Sequence, residues 1–224
     1  MEVKIVMRGE SKDNEESIQR WFDKEVEDGE NAILVYPNLQ ALRRIYTEYI
    51  RRQLLEEGER GEEEEKGDQQ QPFTRRITLI ASFYETVDSV KHHLSAFGVE
   101  NIQRLIDNGS LVLVDSFHSF FPDVNGMKKL IDTLSERARK EEDRKGVTAI
   151  VDMGFFFLFG GDRKAADLIS YEASLAPKTQ DSNVKGISCY HWGNYETLTK
   201  RDKELLTQGQ KKKLLEVREI RSYS

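Results

Sequence analysis

The feature that most constrains this chain is a regular alternation between short apolar runs and amphipathic segments with helical spacing. The apolar runs cover residues 32–36, 77–83, 111–114, 147–151 and 184–191. Continuous apolar runs of this length are typical of strands buried on both faces, and intervening amphipathic helices favour parallel pairing. We therefore predict an α/β fold, with a mostly parallel central sheet of five or more strands and helices on both faces.

The helices are predicted from apolar residues spaced three and four apart. They are expected over residues 17–26, 39–54, 86–97, 101–107, 123–145 and 162–175, with one or two polar helices after residue 191. A short strand is expected at residues 3–7. Residues 57–74 are rich in Glu, Gly and Gln and hold almost nothing to bury, so they are predicted to form a mobile acidic loop.

The formal net charge of -6 comes from one place. Residues 56–68 carry eight acidic and two basic side chains, and the remaining 32 acidic and 32 basic residues balance. A balanced body does not indicate a nucleic-acid surface. The basic stretch at residues 200–221 is interpreted as a solvated helix face, so nucleic-acid binding through this chain alone is not expected.

Cysteine content and hydrophobicity bear on the compartment. Cys189 is the single cysteine, which excludes an internal disulfide and fits a reducing environment. No apolar run approaches the roughly 20 residues of a membrane span, and the first residues lack a signal-peptide pattern. We expect a cytoplasmic protein with no membrane contact.

The junction after the first buried strand is where a nucleotide-binding α/β domain carries its phosphate loop. That loop needs glycines, and in ATPases a lysine, so that backbone N–H groups can surround the phosphates. Here the junction is Tyr36-Pro37-Asn38, without glycine or lysine. Because proline has no N–H to offer, triphosphate binding at this position is not expected.

Ligands of open parallel sheets bind beyond the carboxyl ends of the strands. We predict a small, largely apolar ligand at this edge, with no cofactor. The candidate ligand-binding residues are Tyr36, Asn38, Tyr84, Asp152, Phe155, His191 and Trp192.

Catalytic and metal-binding alternatives have weaker support in the sequence. Asp152 resembles the strand-terminal aspartate that supports magnesium in phosphate-loop enzymes, but its lysine and Ser/Thr partners are missing. Cys189 and His191 share a strand face yet lie too far apart for a direct hydrogen bond. The four histidines have no metal-ligand spacing. We predict no catalytic residue and no metal site.

An aromatic run, Phe155-Phe156-Phe157-Leu158-Phe159, follows Asp152. A strand there would expose every second ring, which soluble proteins rarely tolerate. The run is expected to line an apolar pocket, to enter the core or to form a dimer surface.

From Ile33 to about Leu206 the chain resembles the MEDS (methanogen/methylotroph, DcmR sensory) domain family. The matching stretches are ILVYPNLQALRRIYTEYI, RRITLIASFYETVDSVKHHLSAFGVENIQRLIDNGSLVLVDS, AIVDMGFFF, DLISYEASL and ISCYHWGNY. The resemblance implies a RecA- or KaiC-like core without its phosphate loop. It divides the chain into an N-terminal extension (1–29), a MEDS-type domain (30–207) with the acidic insert 57–74, and a basic C-terminal helix or tail (208–224).

The resemblance implies a non-enzymatic sensory domain for a small organic molecule, acting in signal transduction or transcriptional regulation. Expected partners are that ligand and a second copy of the chain or a signalling protein. Two other functions stay open at this point: a divergent RecA/KaiC-like ATPase, and an inactive ATPase-like protein-interaction module.

Overall fold

The computed structural model describes residues 4–8, 26–61, 74–116, 125–175, 183–208 and 213–218. Seven strands form one sheet in the order β1-β7-β2-β6-β5-β3-β4, and every pairing is parallel. The strands are β1 (Lys4–Arg8), β2 (Asn31–Tyr36), β3 (Arg76–Ser82), β4 (Leu111–Asp115), β5 (Gly146–Asp152), β6 (Val184–His191) and β7 (Lys213–Arg218).

Helices connect successive strands, as parallel pairing requires. They are α1 (Leu39–Gly61), α2 (Val87–Ala96), α3 (Ile102–Asp107), α4 (Gly126–Lys140), α5 (Gly154–Phe159), α6 (Lys164–Leu175), α7 (Trp192–Glu196) and α8 (Lys200–Gln208), with a short 3-10 helix at Gly161–Arg163. The local start and stop signals act as expected. The side chains of Asn38 and Thr86 accept from backbone N–H groups in the first turns of α1 and α2, and Gly98 follows α2 with φ of 84°.

Two hydrophobic cores sandwich the sheet. On one side, here called the α1 face, apolar side chains of α1, α2 and α3 pack on alternate residues of the strands. On the other side, the α4 face, residues from α4 to α8 pack on the remaining strand residues. Helices therefore cover both faces of a parallel sheet, and the predicted α/β class, a RecA-like three-layer sandwich, is confirmed.

The prediction of a basic C-terminal helix is wrong for Lys213–Arg218, which form β7. β7 pairs with β1 on one side and with β2 on the other, and its Leu214 and Leu215 are buried. Two neighbouring strands satisfy its backbone, so the sheet overrides the helical tendency of its basic side chains. β1 and β7 thus belong to the same sheet as the central strands.

Two other predicted segments differ from the structure or extend beyond the described residues, and the aromatic run is now placed. The acidic loop was expected from residue 57, but α1 continues to Gly61. The aromatic run at residues 155–159 lies in α5 and not in a strand. Residues 17–25 of the first predicted helix and residues 62–73 of the acidic segment lie outside the described residues.

Candidate functional site

The carboxyl ends of four adjacent strands form one edge of the sheet. β2, β6, β5 and β3 are neighbours and run in the same direction. The register places Tyr36 beside His191 and Asp152 beside Cys189. The edge therefore brings together residues more than a hundred positions apart in the sequence.

Asp152 lies at the centre of this edge, with 2% of its surface exposed. Its Oδ2 accepts a hydrogen bond from the Tyr36 hydroxyl at 2.9 Å, and its Oδ1 accepts one from the Gly154 N–H at 2.9 Å. Burial disfavours the charged form and raises the pKa of Asp152 to about 7, although these two hydrogen bonds and a third from the Phe83 backbone N–H oppose this shift. The carboxyl group therefore titrates near neutral pH.

No cationic side chain forms an ion pair with Asp152 in the part of the chain that the structure describes. The nearby Glu85 carboxylate raises its pKa further. Burial, and then the negative charge of Asp152, raise the pKa of Tyr36 far above its ordinary value, so Tyr36 remains a hydrogen-bond donor. The partners of Asp152 are neutral.

Glu85, three residues beyond β3, is a second buried carboxylate at this edge. Its Oε1 lies 2.8 Å from Arg43 Nε, 3.2 Å from Ser89 Oγ and 3.6 Å from His93 Nε2. Its Oε2 accepts from the Tyr46 hydroxyl at 3.3 Å. Glu85 therefore has both a cation and hydroxyl donors, supplied by α1 and α2.

Aromatic rings lie above Asp152. Tyr84 contacts Phe83 and His191, with ring centroids 4.9 Å and 6.3 Å away, and His191 contacts Tyr36 at 5.6 Å. A Cβ at Gly154 would come within 2.4 Å of the Phe83 ring, so the two rings lie directly on this backbone. Tyr84 is 46% exposed, and its hydroxyl accepts from Asn194 Nδ2 at 2.7 Å.

Ser82 adds an unpaired polar atom beside the carboxyl group. It follows Ala81, which pairs with Val151, so Ser82 lies across from Asp152 on the neighbouring strand. Strand alternation directs both side chains to the α1 face, as for Ile80 and Ile150. Ser82 Oγ is buried and has no hydrogen-bond partner among the residues that the structure describes, which is unusual for a buried hydroxyl.

The structure thus brings together four of the predicted site residues: Tyr36, Tyr84, Asp152 and His191. Phe155 reaches the cluster indirectly. Its ring lies 5.3 Å from that of Phe159, which in turn lies 6.4 Å from Phe83.

Asn38 and Trp192 make different contacts. Asn38 caps α1, where its Oδ1 accepts from the Ala41 N–H at 2.9 Å. Trp192 is the first residue of α7 and packs, partly buried, against the core on the α4 face, opposite the Tyr36–Asp152 pair. Sequence spacing alone does not separate a strand-end residue that enters the site from one that turns to the other face.

Glu85 and Ser82 were missed by the sequence analysis. The stretch Ser82-Phe83-Tyr84-Glu85 marks a strand end, and a carboxylate directly after a strand is a usable signal for this edge. Its pairing with Arg43 depends on contact between residues 42 positions apart, which one sequence does not disclose.

The Cys189–His191 pair has no nucleophile geometry. Cys189 Sγ lies 3.8 Å from the Ile187 carbonyl oxygen, and burial, followed by the Asp152 charge, raises its thiol pKa well above the ordinary value. A raised pKa keeps the thiol protonated and unreactive. Within the described residues, no group of three or more His, Cys, Asp or Glu side chains is arranged to hold a metal ion.

Of the helices that the structure describes, none combines the length and hydrophobicity that a membrane crossing requires. Comparison with models of known protein families gives no match, and a search of curated proteins gives no significant match either.

Proposed function

We propose that this chain is a non-enzymatic sensory domain that binds a small organic molecule and acts in signal transduction or transcriptional regulation. The observation that carries the proposal is the Asp152–Tyr36 pair, a buried polar centre beneath partly exposed aromatic rings. Small-molecule sites commonly combine an apolar lining with a few convergent polar groups. The resemblance to the MEDS family supports the same function.

The β2–α1 junction supports binding of something other than a nucleotide. Only Pro37 and Asn38 separate Tyr36 from the first residue of α1. Two residues, one of them without an N–H, are too few to surround phosphates as a phosphate loop does. The Tyr36 side chain also bonds directly to Asp152.

A ligand at this edge would change the output through differential affinity. Helices α1, α2, α5 and α7 all begin within a few residues of the strand ends that form the site. A ligand that binds one arrangement of these helix ends better than another shifts the population toward it. The shifted state then differs in its preference for a partner or a second copy.

A thermal-shift screen tests the proposal. It compares ATP with magnesium, ADP, and a panel of small neutral, cationic and halogenated organic compounds. Because a ligand at 100 times its Kd adds about 2.7 kcal/mol of stability, we expect a higher Tm with at least one organic compound. A shift with nucleotide alone would replace the proposal with a divergent ATPase.

A second function, a protein-interaction module, is favoured by the exposed end of α5. Leu158 is 66% exposed and the adjacent Phe159 is 47% exposed. Replacing both with serine should leave folding intact and lower self-association in sedimentation if this surface binds a second copy. If wild type and the double serine variant sediment alike at high concentration, this surface does not bind a second copy of the chain.

A further inference from the structure

Asp152 is a buried carboxyl group whose charged form has no counter-charge in the part of the chain that the structure describes. Its hydrogen bonds come from the Tyr36 hydroxyl and from the backbone N–H groups of Gly154 and Phe83, all of them neutral. Removing a carboxylate from water is costly unless a cation accompanies it. A positively charged ligand would supply the counter-charge that the ionised Asp152 lacks.

The hydrogen-bonding pattern around Asp152 points the same way. A carboxylate has about four acceptor positions, and the Tyr36 hydroxyl and the N–H groups of Gly154 and Phe83 use three of them. On the adjacent strand, Ser82 Oγ is buried without a hydrogen-bond partner among the described residues, and it too can accept. The site is therefore rich in acceptors, and its ligand must donate.

The surrounding rings favour an organic cation over a metal ion. The Tyr84 ring is close enough to Asp152 for the carboxylate to raise the tyrosine pKa, and it contacts the His191 ring. Aromatic faces attract both cations and apolar substituents. Calcium and magnesium instead need about six oxygen ligands. The described residues hold no cluster of even three metal-ligating side chains.

We propose that the site binds a small primary organic ammonium ion, which donates to Asp152 and Ser82 and rests its apolar substituent against Tyr84 and His191. This inference rests on the proposed function and specifies its ligand class. The ammonium ion keeps its own protons, and Asp152 releases its proton to solvent when the ion binds. Tyr84, which is 46% exposed, is the ring that we expect to move on entry, since exposed side chains change rotamer within nanoseconds.

Several other titratable groups face Asp152, so the experiment must distinguish their contribution to the pH dependence of binding from that of Asp152. They are Tyr36 from β2, Cys189 and His191 from β6, Tyr84 and Glu85 after β3, and the Glu85 partners Arg43, Tyr46 and His93 from α1 and α2. Burial raises the pKa values of the tyrosines and of Cys189, which stay protonated near neutral pH. An Asp152→Asn variant, which retains His93 and His191, separates the contribution of the Asp152 carboxyl group from that of the two histidines.

The test is isothermal titration calorimetry with benzylammonium chloride and, as a neutral probe of similar shape, benzyl alcohol. The Asp152 pKa of about 7 makes its ionised fraction rise from about 0.1 at about pH 6 to about 0.9 at about pH 8. Because only the ionised form is competent, benzylammonium should bind about tenfold tighter at the higher pH. Buffers of different ionisation enthalpy should report release of about one proton at the lower pH.

Variants assign the effect to the proposed groups. Asp152→Asn should abolish both the preference for benzylammonium and its pH dependence, with folding checked by circular dichroism. Ser82→Ala should weaken benzylammonium binding severalfold while retaining the pH dependence. Asp132→Asn is the matched control, because it removes an exposed aspartate from α4, which packs on the other face of the sheet, and should change little.

Equal affinity for benzylammonium and benzyl alcohol would overturn the inference and leave the proposed ligand site standing. Benzylammonium binding that persists in Asp152→Asn would also overturn it. Failure of both benzylammonium and n-butylammonium to bind would do the same, and a flat thermal-shift screen would then remove the proposed function as well.

Discussion

Two buried carboxyl groups share the carboxyl edge of this sheet, and the fold treats them differently. Glu85 meets the Arg43 guanidinium and two hydroxyl groups. Asp152 meets a tyrosine hydroxyl and the backbone N–H groups of Gly154 and Phe83, and its pKa is about 7. Within the described residues, Glu85 has a cationic partner and Asp152 has none.

The difference separates a buried carboxyl group that is paired with a cation from one that has no counter-charge among the described residues. A buried ion pair such as Arg43–Glu85 holds α1 against the segment that follows β3, and its charges are satisfied without a ligand. An unpaired buried carboxyl group lowers stability when ionised, so it is retained only at a stability cost. Strongly shifted groups of this kind concentrate at functional sites.

The largest expected effect is the pH dependence that Asp152 confers on stability. Its pKa is about 7 in the folded chain, against about 3.9 for an exposed aspartate, so the folded state retains a proton that the unfolded chain releases. Stability from this group is full below about pH 4 and is lost as the pH rises to about 7, by about 4 kcal/mol. In urea titrations, the free energy of unfolding of Asp152→Asn, measured relative to wild type, should rise by that amount from about pH 4 to about pH 8.

Asp132→Asn, which removes an exposed aspartate from α4, provides the reference for this experiment, because a general change in charge would affect both variants alike. A stability difference between Asp152→Asn and wild type that stays constant over this pH range would contradict the raised pKa and, with it, the comparison of the two carboxyl groups.

The next effect comes from breaking the Glu85 pair. Arg43→Met leaves Glu85 buried beside two hydroxyl groups and the His93 imidazole, without its guanidinium partner, and should lower the free energy of unfolding by about 2–3 kcal/mol. The loss is below that of a fully buried pair because the Arg43 side chain is 23% exposed. Combining Arg43→Met with Glu85→Gln should recover part of the loss in urea denaturation. A single variant as stable as wild type would show that Glu85 does not need its cation.

Two tyrosines give a matched pair of smaller changes. Tyr36→Phe removes a 2.9 Å donor to Asp152 and should cost about 1–2 kcal/mol near pH 8, where the acceptor is charged. It should also raise the pKa of Asp152 further. Tyr46→Phe removes a 3.3 Å donor to Glu85, which keeps Arg43 and Ser89, and should cost less than about 1 kcal/mol. Chemical denaturation over a pH series measures both, and the reverse order of costs would contradict the ranking.

The smallest expected change is at the aromatic rings. Asn194→Ala removes the exposed hydrogen bond to the Tyr84 hydroxyl and should alter the free energy of unfolding by less than about 0.5 kcal/mol. It frees the ring above Asp152, so ligand association in stopped-flow fluorescence should become faster. A large loss of stability would mean that Tyr84 is a structural residue and not a movable cover.

The sequence predicted the local elements well where a segment carries its own signal. The apolar runs at 32–36 and 184–191 become β2 and β6, and Asn38 and Gly98 mark helix ends. β7 was missed because its stability comes from pairing with β1 and β2, neither of which is near it in the sequence. Local pattern reports burial and capping, and it does not report distant backbone partners.

The candidate site likewise contains residues that a local signal predicted and residues that depend on distant contacts. Tyr36, Asp152 and His191 were predicted because each ends a buried strand, and in a parallel sheet such ends share an edge. Trp192 satisfied the same rule but turns to the α4 face, because α7 starts there. Glu85 was missed, since its role depends on which helix side chains face it.

The sequence by itself determined the α/β class, the strand ends and the absence of a phosphate loop, because periodicity, capping and glycine content are local properties. Only the tertiary structure decided which carboxyl group receives a cation. Arg43 reaches Glu85 across 42 residues, while Tyr36 reaches Asp152 across 116. Desolvation and charge pairing depend on what surrounds a group in space, so the contrast between the two carboxyl groups arises only when the chain is folded.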